Sequence, residues 1–445
     1  MMFPVVAIIG KPNTGKSTLF NRICKSHRAL VDDLPGVTRD LLFKDVIFNN
    51  KPFTVVDTGG LQAGRNDSLT EKVAEQIEIA LDLADAVILV LDGQKELTVE
   101  DYEAVTLLRK KGVRTFAAIN KIDGARHEIN VTDFYRLGFE KLYSISAREK
   151  IGINDLLDDV IQTFPEIEEP NPENDAQKHF ENPPIRIAFL GRPNVGKSTL
   201  VNRILGHERM IVSEIPGTTR DSVDTLFESK GKEYVLVDTA GIRRKSRIDK
   251  RIEIFSVLAA FRALQSADVA LVLIDANEMI TDQDLRIARM AVEKGKGLIL
   301  LCNKVDAVKD YKSWHTKFKD AADLWLSGFL FAPILEISAK TGKGIEGILP
   351  AVERVAKSCA FQVPTSKLND IIHKALEAHV PPSIDGRPFN IYYATQIGNN
   401  PPTFVAYANR VAKIHPSYQR YLINSIREAF RLTGTPIRLF FRKKK

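Results

Sequence analysis

Two loops in the chain combine glycines, a lysine and a hydroxyl side chain at a spacing that binds phosphate. Each reads Gly-x-x-x-x-Gly-Lys-Ser and follows an apolar run that predicts a strand. Glycines let backbone N–H groups close around phosphate oxygens, while the lysine supplies a cation and the serine a hydroxyl for Mg²⁺. The predicted contacts are Gly10, Lys11, Pro12, Asn13, Thr14, Gly15, Lys16 and Ser17, and again Gly191, Arg192, Pro193, Asn194, Val195, Gly196, Lys197 and Ser198.

A carboxylate and a threonine in each copy could complete the metal site. Asp57 and Asp238 each end an apolar strand, which places a carboxylate at the sheet edge. Thr38 and Thr219 lie in turn-rich loops, and their hydroxyls would reach Mg²⁺ only with triphosphate bound. The predicted metal ligands are Ser17, Thr38, Asp57, Ser198, Thr219 and Asp238. Further predicted nucleotide contacts are Thr58, Gly59, Gly60, Leu61, Thr239, Ala240, Gly241 and Ile242, where Gly60 and Gly241 offer a backbone N–H to the γ-phosphate.

The motif Asn-Lys-x-Asp, also present twice, predicts that the base is guanine. A carboxylate can accept hydrogen bonds from guanine N1–H and the 2-amino group, which adenine lacks, so a mismatched base is rejected strongly. We expect each aspartate to bind the base edge, each asparagine to hold N7 and position the loop, and each lysine to lie along the ring. The residues are Asn120, Lys121, Ile122, Asp123, Ser146 and Ala147, and then Asn303, Lys304, Val305, Asp306, Ser338 and Ala339.

The spacing of these motifs shows that a whole domain is duplicated. The first three motifs recur at an offset of 181 residues, the base motif at 183 and the Ser-Ala pair at 192. A constant offset that drifts late is typical of copies whose surface loops have changed length. Short apolar runs alternate with helical patterns between the motifs, which predicts α/β domains with mostly parallel sheets. Ligands would lie beyond the carboxyl ends of the strands.

The length of 445 residues suits about three domains. We predict a first nucleotide-binding domain at 1–164, an acidic, proline-rich flexible linker at 165–184, a second such domain at 185–357 and a small α+β domain at 358–445. That last domain carries two amphipathic helical patterns and three strand-like runs. Arg420, Arg427 and Arg431 lie on a polar face of the second helix, and Gly434 is predicted to end that helix.

Charge localises any polyanion partner to the C-terminus. The net charge is +7, yet 405–445 holds ten Arg or Lys residues and one acid, Glu428. A second basic run, 243–251, follows Ile242 and is either a solvated face or a nucleotide-gated contact. Cys24, Cys302 and Cys359 lack metal or disulfide spacing, and we interpret them as core or incidental thiols in a reducing compartment. No apolar run reaches the ~20 residues of a membrane span, and we expect a cytoplasmic monomer.

These motifs together resemble the Der (EngA) family of bacterial tandem GTPases. The resemblance rests on GKPNTGKST, PGVTRD, DTGG and NKID, then GRPNVGKST, PGTTRD, DTAG and NKVD, and on the closing GTPIRLFFRKK. It implies two P-loop GTPase domains followed by a KH-like domain, with GTP or GDP and Mg²⁺ bound. Lys11 and Thr14 depart from the family's usual Arg and Val, at positions where no needed group is lost.

The resemblance implies a GTP-hydrolysing switch in assembly of the large (50S) ribosomal subunit, contacting the subunit and its rRNA. The alternative is a regulatory GTPase that acts on a protein or membrane-associated partner, in cell division or RNA modification. The C-terminal domain lacks the Gly-x-x-Gly loop of RNA-clamping KH modules. Its basic face could therefore contact RNA phosphates or dock on the GTPase domains, and both remain open here.

Hydrolysis should be slow without help, because Leu61 and Ile242 stand where many GTPases carry a water-orienting glutamine. In related potassium-stimulated GTPases an asparagine at the position of Asn13 and Asn194 helps to hold K⁺ near the phosphates. The alternative is that each asparagine only braces its loop. The predicted catalytic residues are Asn13, Lys16, Thr38, Gly60, Asn194, Lys197, Thr219 and Gly241.

Overall fold

A computed structural model describes most of the chain as two compact units, Met1–His179 and Phe180–Lys445. The described residues are 3–26, 28–29, 43–58, 84–123, 131–164, 183–207, 213–216, 223–238, 252–325, 328–379, 389–409 and 414–443. The predicted linker at 165–184 lies outside them except for its last two residues. No helix among these residues is long and apolar enough to cross a membrane.

The first unit contains a seven-stranded sheet in its described part. Its strands are β1 (Val5–Ile9), β2 (Arg28–Ala29), β3 (Phe43–Phe48), β4 (Lys51–Asp57), β5 (Ala86–Asp92), β6 (Thr115–Asn120) and β7 (Leu142–Ser144), in the order β2-β3-β4-β1-β5-β6-β7. All neighbours are parallel except at the β2–β3–β4 edge. The helices are α1 (Lys16–Ser26), α2 (Val99–Lys110), α3 (Val131–Phe134) and α4 (Ile153–Gln162), with a 3₁₀ turn at Tyr135–Leu137.

Strand β1 is apolar throughout because helices cover both faces of the sheet. Val6 and Ile8 pack into the core that α1 and α4 close, whereas Ala7 and Ile9 pack into the core under α2. A strand buried on both sides reads as a continuous apolar run. The carboxyl ends of β1, β4, β5 and β6 therefore meet at one edge, where the sequence motifs begin.

The second unit repeats this topology. Its larger sheet has the strands β8 (Ile185–Gly191), β9 (Ser213–Pro216), β10 (Val223–Ser229), β11 (Lys232–Leu236), β12 (Val269–Asp275), β13 (Gly297–Asn303) and β14 (Ile334–Glu336), in the order β14-β13-β12-β8-β11-β10-β9. Its helices are α5 (Lys197–His207), α6 (Ile252–Ser266), α7 (Asp282–Glu293), α8 (Tyr311–Trp325) and α9 (Ile348–Cys359), with 3₁₀ turns at Val305–Ala307 and Ile345–Gly347. The predicted boundary at 357/358 falls inside α9.

The C-terminal domain of the same unit is α+β, as predicted. It consists of α10 (Thr365–Ala378), β15 (Ile391–Gly398), β16 (Thr403–Ala408), α11 (Pro416–Phe430) and β17 (Arg438–Lys443). Strands β15 and β16 are antiparallel and β17 is parallel to β16. The two helices cover one face of this three-stranded sheet and enclose a core with Leu368, Phe404 and Leu422.

The C-terminal domain is hydrogen-bonded to the larger sheet of its unit through Gly434. The Leu298 N–H donates to Gly434 O at 2.7 Å, and the Gly434 N–H donates to Phe331 O at 2.8 Å. Gly434 has φ +70°, and a Cβ there would lie 2.3 Å from Val355 Cγ2 of α9. We expected this glycine to end α11, but α11 ends at Phe430 with Arg431 as its left-handed cap. Gly434 instead serves the close approach between the two parts.

Further contacts reinforce this junction. The Asn400 N–H donates to Cys359 O at 3.0 Å, and Arg438 Nη2 donates to Glu293 O at 2.9 Å. A Cβ at Gly295 would lie only 2.6 Å from Pro401 Cδ. The turn that joins β15 to β16 therefore sits against α7, α9 and the chain that follows them.

The predicted exposed arginine face is wrong for Arg427. Its guanidinium lies 4.3 Å from the Phe331 ring centre and donates to Leu432 O and Thr435 O. Burial lowers the pKa of Arg427 to about 10, so the group remains a cation at neutral pH. Helical periodicity placed it opposite the core of its own domain but could not show that a second body covers that side. Arg420 and Arg431 are exposed, as expected.

Candidate functional site

The two phosphate loops connect β1 to α1 and β8 to α5. Gly10 and Gly15 have φ +149° and +94°, and a Cβ would lie 2.4 Å from Val90 O and 2.2 Å from Asn120 Nδ2, respectively. In the second copy, Gly191 and Gly196 have φ +140° and +103°. Both backbone conformation and space therefore require glycine at these positions.

The second copy shows the same close approaches. A Cβ at Gly191 would lie 2.7 Å from Leu273 O, and one at Gly196 would lie 2.3 Å from Asn303 Nδ2. Between the glycines, Asn13 and Asn194 are exposed and have φ 67° and 62°. Asparagine is among the residues that adopt this left-handed conformation most readily. Part of its role is therefore conformational.

The loop lysines bond to backbone carbonyls of their own loops. Lys16 Nζ donates to Lys11 O at 2.7 Å, while Lys197 Nζ donates to Gly191 O at 2.7 Å and to Arg192 O at 2.5 Å. Burial lowers the pKa of Lys16, and the charge of Asp57 opposes that shift. Anionic phosphate oxygens beside the ammonium would favour its charged form further. The two predicted phosphate cations thus lie against their loops.

The residue after the first glycine braces each loop against a helix. Lys11 Nζ donates to Asp101 Oδ2 and to Thr98 Oγ1, both at 2.6 Å. Thr98 and Asp101 form the capping box of α2, so this bond fixes the loop to the start of a helix. The sequence indicates only that no needed group is lost at Lys11, and it does not predict this brace.

Arg192 makes the corresponding brace with two carboxylates. Its Nε donates to Asp284 Oδ1 at 3.0 Å and its Nη1 donates to Glu278 Oε2 at 2.6 Å. Thr281 and Asp284 form the capping box of α7. Burial disfavours the Arg192 cation, but the two carboxylates outweigh this and raise its pKa. In both copies the loop is bonded to the capping box of a helix, through one carboxylate in the first copy and with a second carboxylate added in the second.

Asn120 and Asn303 join the phosphate loop to the Ser-Ala segment. Asn120 Nδ2 donates to Thr14 O at 2.8 Å, and its Oδ1 accepts from the Ala147 N–H at 2.9 Å. Asn303 bonds in the same way, with 2.7 Å and 2.9 Å distances. The side chain partners in the second copy are Val195 O and Ala339 N. Each amide retains one N–H for a base, because an Asn side chain has two.

The lysines of the base motif pair with carboxylates at the ends of neighbouring strands. Lys121 Nζ lies 2.7 Å from Asp92 Oδ2 and Lys304 Nζ lies 2.6 Å from Asp275 Oδ2. Both lysines have left-handed backbones, φ 72° and 66°. These ion pairs fix each lysine beside its motif, and the sequence motifs do not predict either aspartate.

The base-reading aspartates stand on the surface of the same edge. Asp123 is exposed and its Oδ1 accepts from Ser146 Oγ at 2.6 Å. Asp306 is exposed in the turn Val305–Ala307. Ile122 and Val305 are buried and anchor the motifs from below. Ser146, Ala147, Ser338 and Ala339 are all buried in the adjacent segments.

An arginine on the helix after each loop bonds to the Ser-Ala segment. Arg22 Nε donates to Ala147 O at 3.0 Å and its Nη2 to Arg148 O at 2.6 Å. Arg203 Nε donates to Ala339 O at 3.3 Å, and its Nη2 donates to Lys340 O. Each arginine therefore fixes the segment that would close the base pocket.

The metal-ligand candidates that the structure describes offer the hydroxyl and carboxylate oxygens that Mg²⁺ prefers. Ser17 and Ser198 are the second residues of α1 and α5. Asp57 is buried at the end of β4, in register with Ile8 of the strand that precedes the loop. Asp238 follows β11 with φ 55°, and its N–H donates to Asp224 Oδ1 at 3.1 Å. The described metal-ligand candidates therefore fit a bound Mg²⁺ ion.

Several predicted site residues lie outside the described residues. They are Thr38, Gly59, Gly60, Leu61, Thr219, Thr239, Ala240, Gly241 and Ile242, and with them the basic run 243–251. Thr58 is described: it is buried, and its Oγ1 donates to Ile8 O at 2.7 Å. Pro12 is exposed and Pro193 half-buried within their loops.

The missed residues share a signal that the sequence contains. Arg22 and Arg203 are 181 residues apart, the offset of the phosphate loops. Asp92 and Asp275, like Asp101 and Asp284, are 183 apart, the offset of the base motifs. Aligning the two halves residue by residue would have found them as repeated polar positions.

Two sheets of one topology, each with a phosphate loop and a guanine-type base motif at the same edge, define a tandem P-loop GTPase. A family model described as "50S ribosome-binding GTPase" matches residues 5–121 and 186–304. A second, described as "KH-domain-like of EngA bacterial GTPase enzymes, C-terminal", matches residues 362–442.

Relatives cover almost the whole chain. GTPase Der of Geotalea daltonii is 44% identical over 99% of this chain and 98% of its own length. GTPase Der of Caldanaerobacter subterraneus is 45% identical over the same shares. Era of Aquifex aeolicus, a solved structure, matches 58% of this chain and 92% of its own at 22% identity, with a TM-score of 0.29. The chain belongs to the GTPase Der (EngA) family and is a GTP-binding GTPase.

Proposed function

We propose that this GTPase is a switch that acts in assembly of the large ribosomal subunit. The observation that carries the proposal is the fusion of the second GTPase domain with a basic C-terminal domain through Gly434. The family description names the 50S subunit, and the basic C-terminal segment suits a phosphate-rich partner. Nucleotide bound in the second pocket would then act on the attached basic domain, which is suited to contact RNA.

In each pocket the loop N–H groups and the loop lysine would hold the phosphates, while the aspartate of the base motif accepts from guanine. Ser17 and Asp57, with Thr38, would hold Mg²⁺ in the first pocket; Ser198, Asp238 and Thr219 would do so in the second. A bound Mg²⁺ neutralises charge on the β- and γ-phosphates. Gly60 and Gly241 would offer N–H groups to the γ-phosphate.

K⁺ would supply the charge stabilisation that an arginine provides in other GTPases. Asn13 and Asn194 are exposed and lie three residues before the loop lysines, and a side-chain oxygen in this loop could reach a bound cation. Replacing Na⁺ by K⁺ should raise GTP turnover, and Asn13→Ala with Asn194→Ala should remove the difference. Because φ is positive at both positions, Asn→Gly is the matched control for loop conformation. Equal turnover in both salts would refute the role of K⁺.

Sucrose-gradient sedimentation tests the ribosomal role. Full-length protein with a non-hydrolysable GTP analogue should co-sediment with large subunits, and GDP should release it. The control is Lys16→Ala with Lys197→Ala, which should respond to neither nucleotide. If the protein co-sediments with large subunits neither with the GTP analogue, nor with GDP, nor without nucleotide, the proposal is overturned. That result would favour a protein or membrane-associated partner.

A further inference from the structure

The outer face of the C-terminal sheet, opposite its two helices, has one covered end and one exposed end. At the covered end, Arg438 of β17 donates to Glu293 O of α7 and Pro401 lies against Gly295. Moving along the strands away from this junction, side chains on that face become accessible. The junction with the GTPase domain thus leaves part of the face open.

Three residues cross the exposed end in one row. Tyr393 of β15 pairs with Tyr407 of β16, and Tyr407 pairs with Arg442 of β17. Tyr393 is 41% exposed, Tyr407 is half-buried and Arg442 is exposed. Residues paired across neighbouring strands project from the same face, so the row presents two rings and one guanidinium together.

The two tyrosine rings form a stack that a further planar ring could extend. Their centroids are 4.5 Å apart and their planes differ by 17°. Because β15 is the edge strand of the sheet, the outer face of the Tyr393 ring points beyond the edge. Exposed aromatic rings on a sheet are platforms on which unpaired nucleotide bases stack, and nearby arginines bind the phosphates.

We propose that the row Tyr393, Tyr407 and Arg442 is a stacking surface for unpaired bases of single-stranded RNA. Every base has a planar face, so such a surface binds without reading sequence. The surrounding charge suits a polyanion: residues 405–445 hold ten basic residues against one acid. This surface does not use the Gly-x-x-Gly loop that the domain lacks. The inference rests on the proposed function, for which it names the contacted form of RNA.

The edge of β15 disfavours a peptide as the occupant. An added strand would bond to exposed backbone groups of the edge, but the Ala394 N–H and C=O already bond to the Asn369 side chain at 2.7 Å and 2.9 Å. The Gln396 side chain likewise accepts from the Val363 N–H and donates to Phe361 O. The edge is capped by its own domain, whereas the aromatic face above it remains open.

Fluorescence anisotropy of a labelled (CA)₆ RNA oligonucleotide, which forms no duplex, tests the proposal on the full chain. Tyr393→Leu should weaken binding about tenfold, since one stacked base contributes about that factor. Tyr393→Phe keeps the ring and should bind within about twofold of the unaltered chain. Arg442→Gln should lower the slope of log affinity against log salt by about 0.7. GTP turnover and the circular dichroism spectrum should be the same in all variants, which shows that the GTPase domains and the C-terminal domain are folded.

Two results would overturn the stacking surface: Tyr393→Leu binding as tightly as the unaltered chain, or a duplex of equal length binding more tightly than the single strand. Either could occur while the protein still co-sediments with large subunits, which would leave the proposed function intact. Conversely, tyrosine-dependent oligonucleotide binding without co-sedimentation would support the surface and refute the ribosomal role.

Discussion

The two phosphate loops share almost every backbone feature and differ in what anchors them. Both have left-handed asparagines, glycines without room for a Cβ and an asparagine bridge to the Ser-Ala segment. Lys11 holds one carboxylate, Asp101, whereas Arg192 holds two, Asp284 and Glu278. Nucleotide chemistry therefore fixes the loop backbone, and the attachment of the loop to the rest of its domain is where the copies have diverged.

A second difference lies at the metal-ligand aspartates. Asp57 ends a strand, but Asp238 is left-handed and its N–H is held by Asp224. Asp224 also pairs with Arg186 at 2.5 Å. With the offset of 181, the first unit has Phe43 and Val5 at the positions of Asp224 and Arg186. The second pocket thus ties its aspartate to an ion pair, and the first unit has two buried apolar residues at the positions of that pair.

The third difference is mechanical. The C-terminal domain belongs to the same compact unit as the second GTPase domain, and Gly434 bonds directly to β13. Strand β13 ends at Asn303, so one strand connects the base motif to the junction. The second copy of the nucleotide chemistry therefore lies in one compact unit with the C-terminal domain.

The largest effect should come from changing the base specificity of one nucleotide pocket at a time. Asp123→Asn and Asp306→Asn each replace an acceptor by an amide that can donate, which suits the 2-carbonyl of xanthine instead of the 2-amino group of guanine. GTP affinity of the altered pocket should fall on the order of 10⁴-fold, while xanthosine triphosphate binds there. Titration with fluorescent GTP and xanthosine nucleotides measures this. Loss of both pockets in a single variant would contradict independent base sites.

A smaller effect should follow from removing the braces. Arg192→Ala should destabilise the second unit by about 2 to 3 kcal/mol, because Asp284 is almost wholly buried and loses its cation. Lys11→Ala should cost the first unit about 1 kcal/mol. Both tryptophans, Trp314 and Trp325, lie in the second unit, so tryptophan fluorescence during urea unfolding reports that unit, and hydrogen exchange of the β1 and β5 amides reports the first unit. Arg192→Lys, which keeps one charge, is the control and should fall between. A larger loss for Lys11→Ala would reverse the comparison.

The smallest effect should come from the arginines behind the base pocket. Arg22→Ala and Arg203→Ala each remove hydrogen bonds to the Ser-Ala segment, so GDP should leave the affected pocket about fivefold faster. Stopped-flow release of fluorescent GDP measures this, with the other pocket converted by its Asp→Asn change. Arg22→Lys and Arg203→Lys keep the charge and should recover part of the loss. Faster release from the unaltered pocket would show that the arginines act elsewhere.

The sequence predicts most of the fold and the placement of the described site residues because local patterns carry both. Apolar runs that end at Gly10, Asp57 and Asn120 place those motifs at one sheet edge. The buried thiols Cys24, Cys302 and Cys359 are also as predicted. Ion pairs such as Lys121 with Asp92 escaped prediction since each partner alone is an ordinary surface charge in sequence.

The junction of the C-terminal domain could not be predicted, and the reason is distance along the chain. A glycine after an amphipathic helix usually ends it, so the sequence predicts a helix stop at Gly434. Arg427 was placed on a polar face because periodicity reports only the core of its own domain. In both cases the deciding contact, with Val355 or Phe331, lies many residues earlier in the sequence.

Hydrogen exchange with one pocket loaded at a time tests the central claim most directly. The amides to follow are those of Gly434 and the β15–β17 sheet, in the Asp123→Asn and Asp306→Asn variants. Loading the second pocket to 100 times its dissociation constant should slow those amides that exchange through unfolding of the second unit by about 100-fold. Loading the first pocket should leave them unchanged. Equal slowing when either pocket is loaded, or no slowing with either, would contradict the claim that the C-terminal domain responds to nucleotide in the second pocket and not in the first.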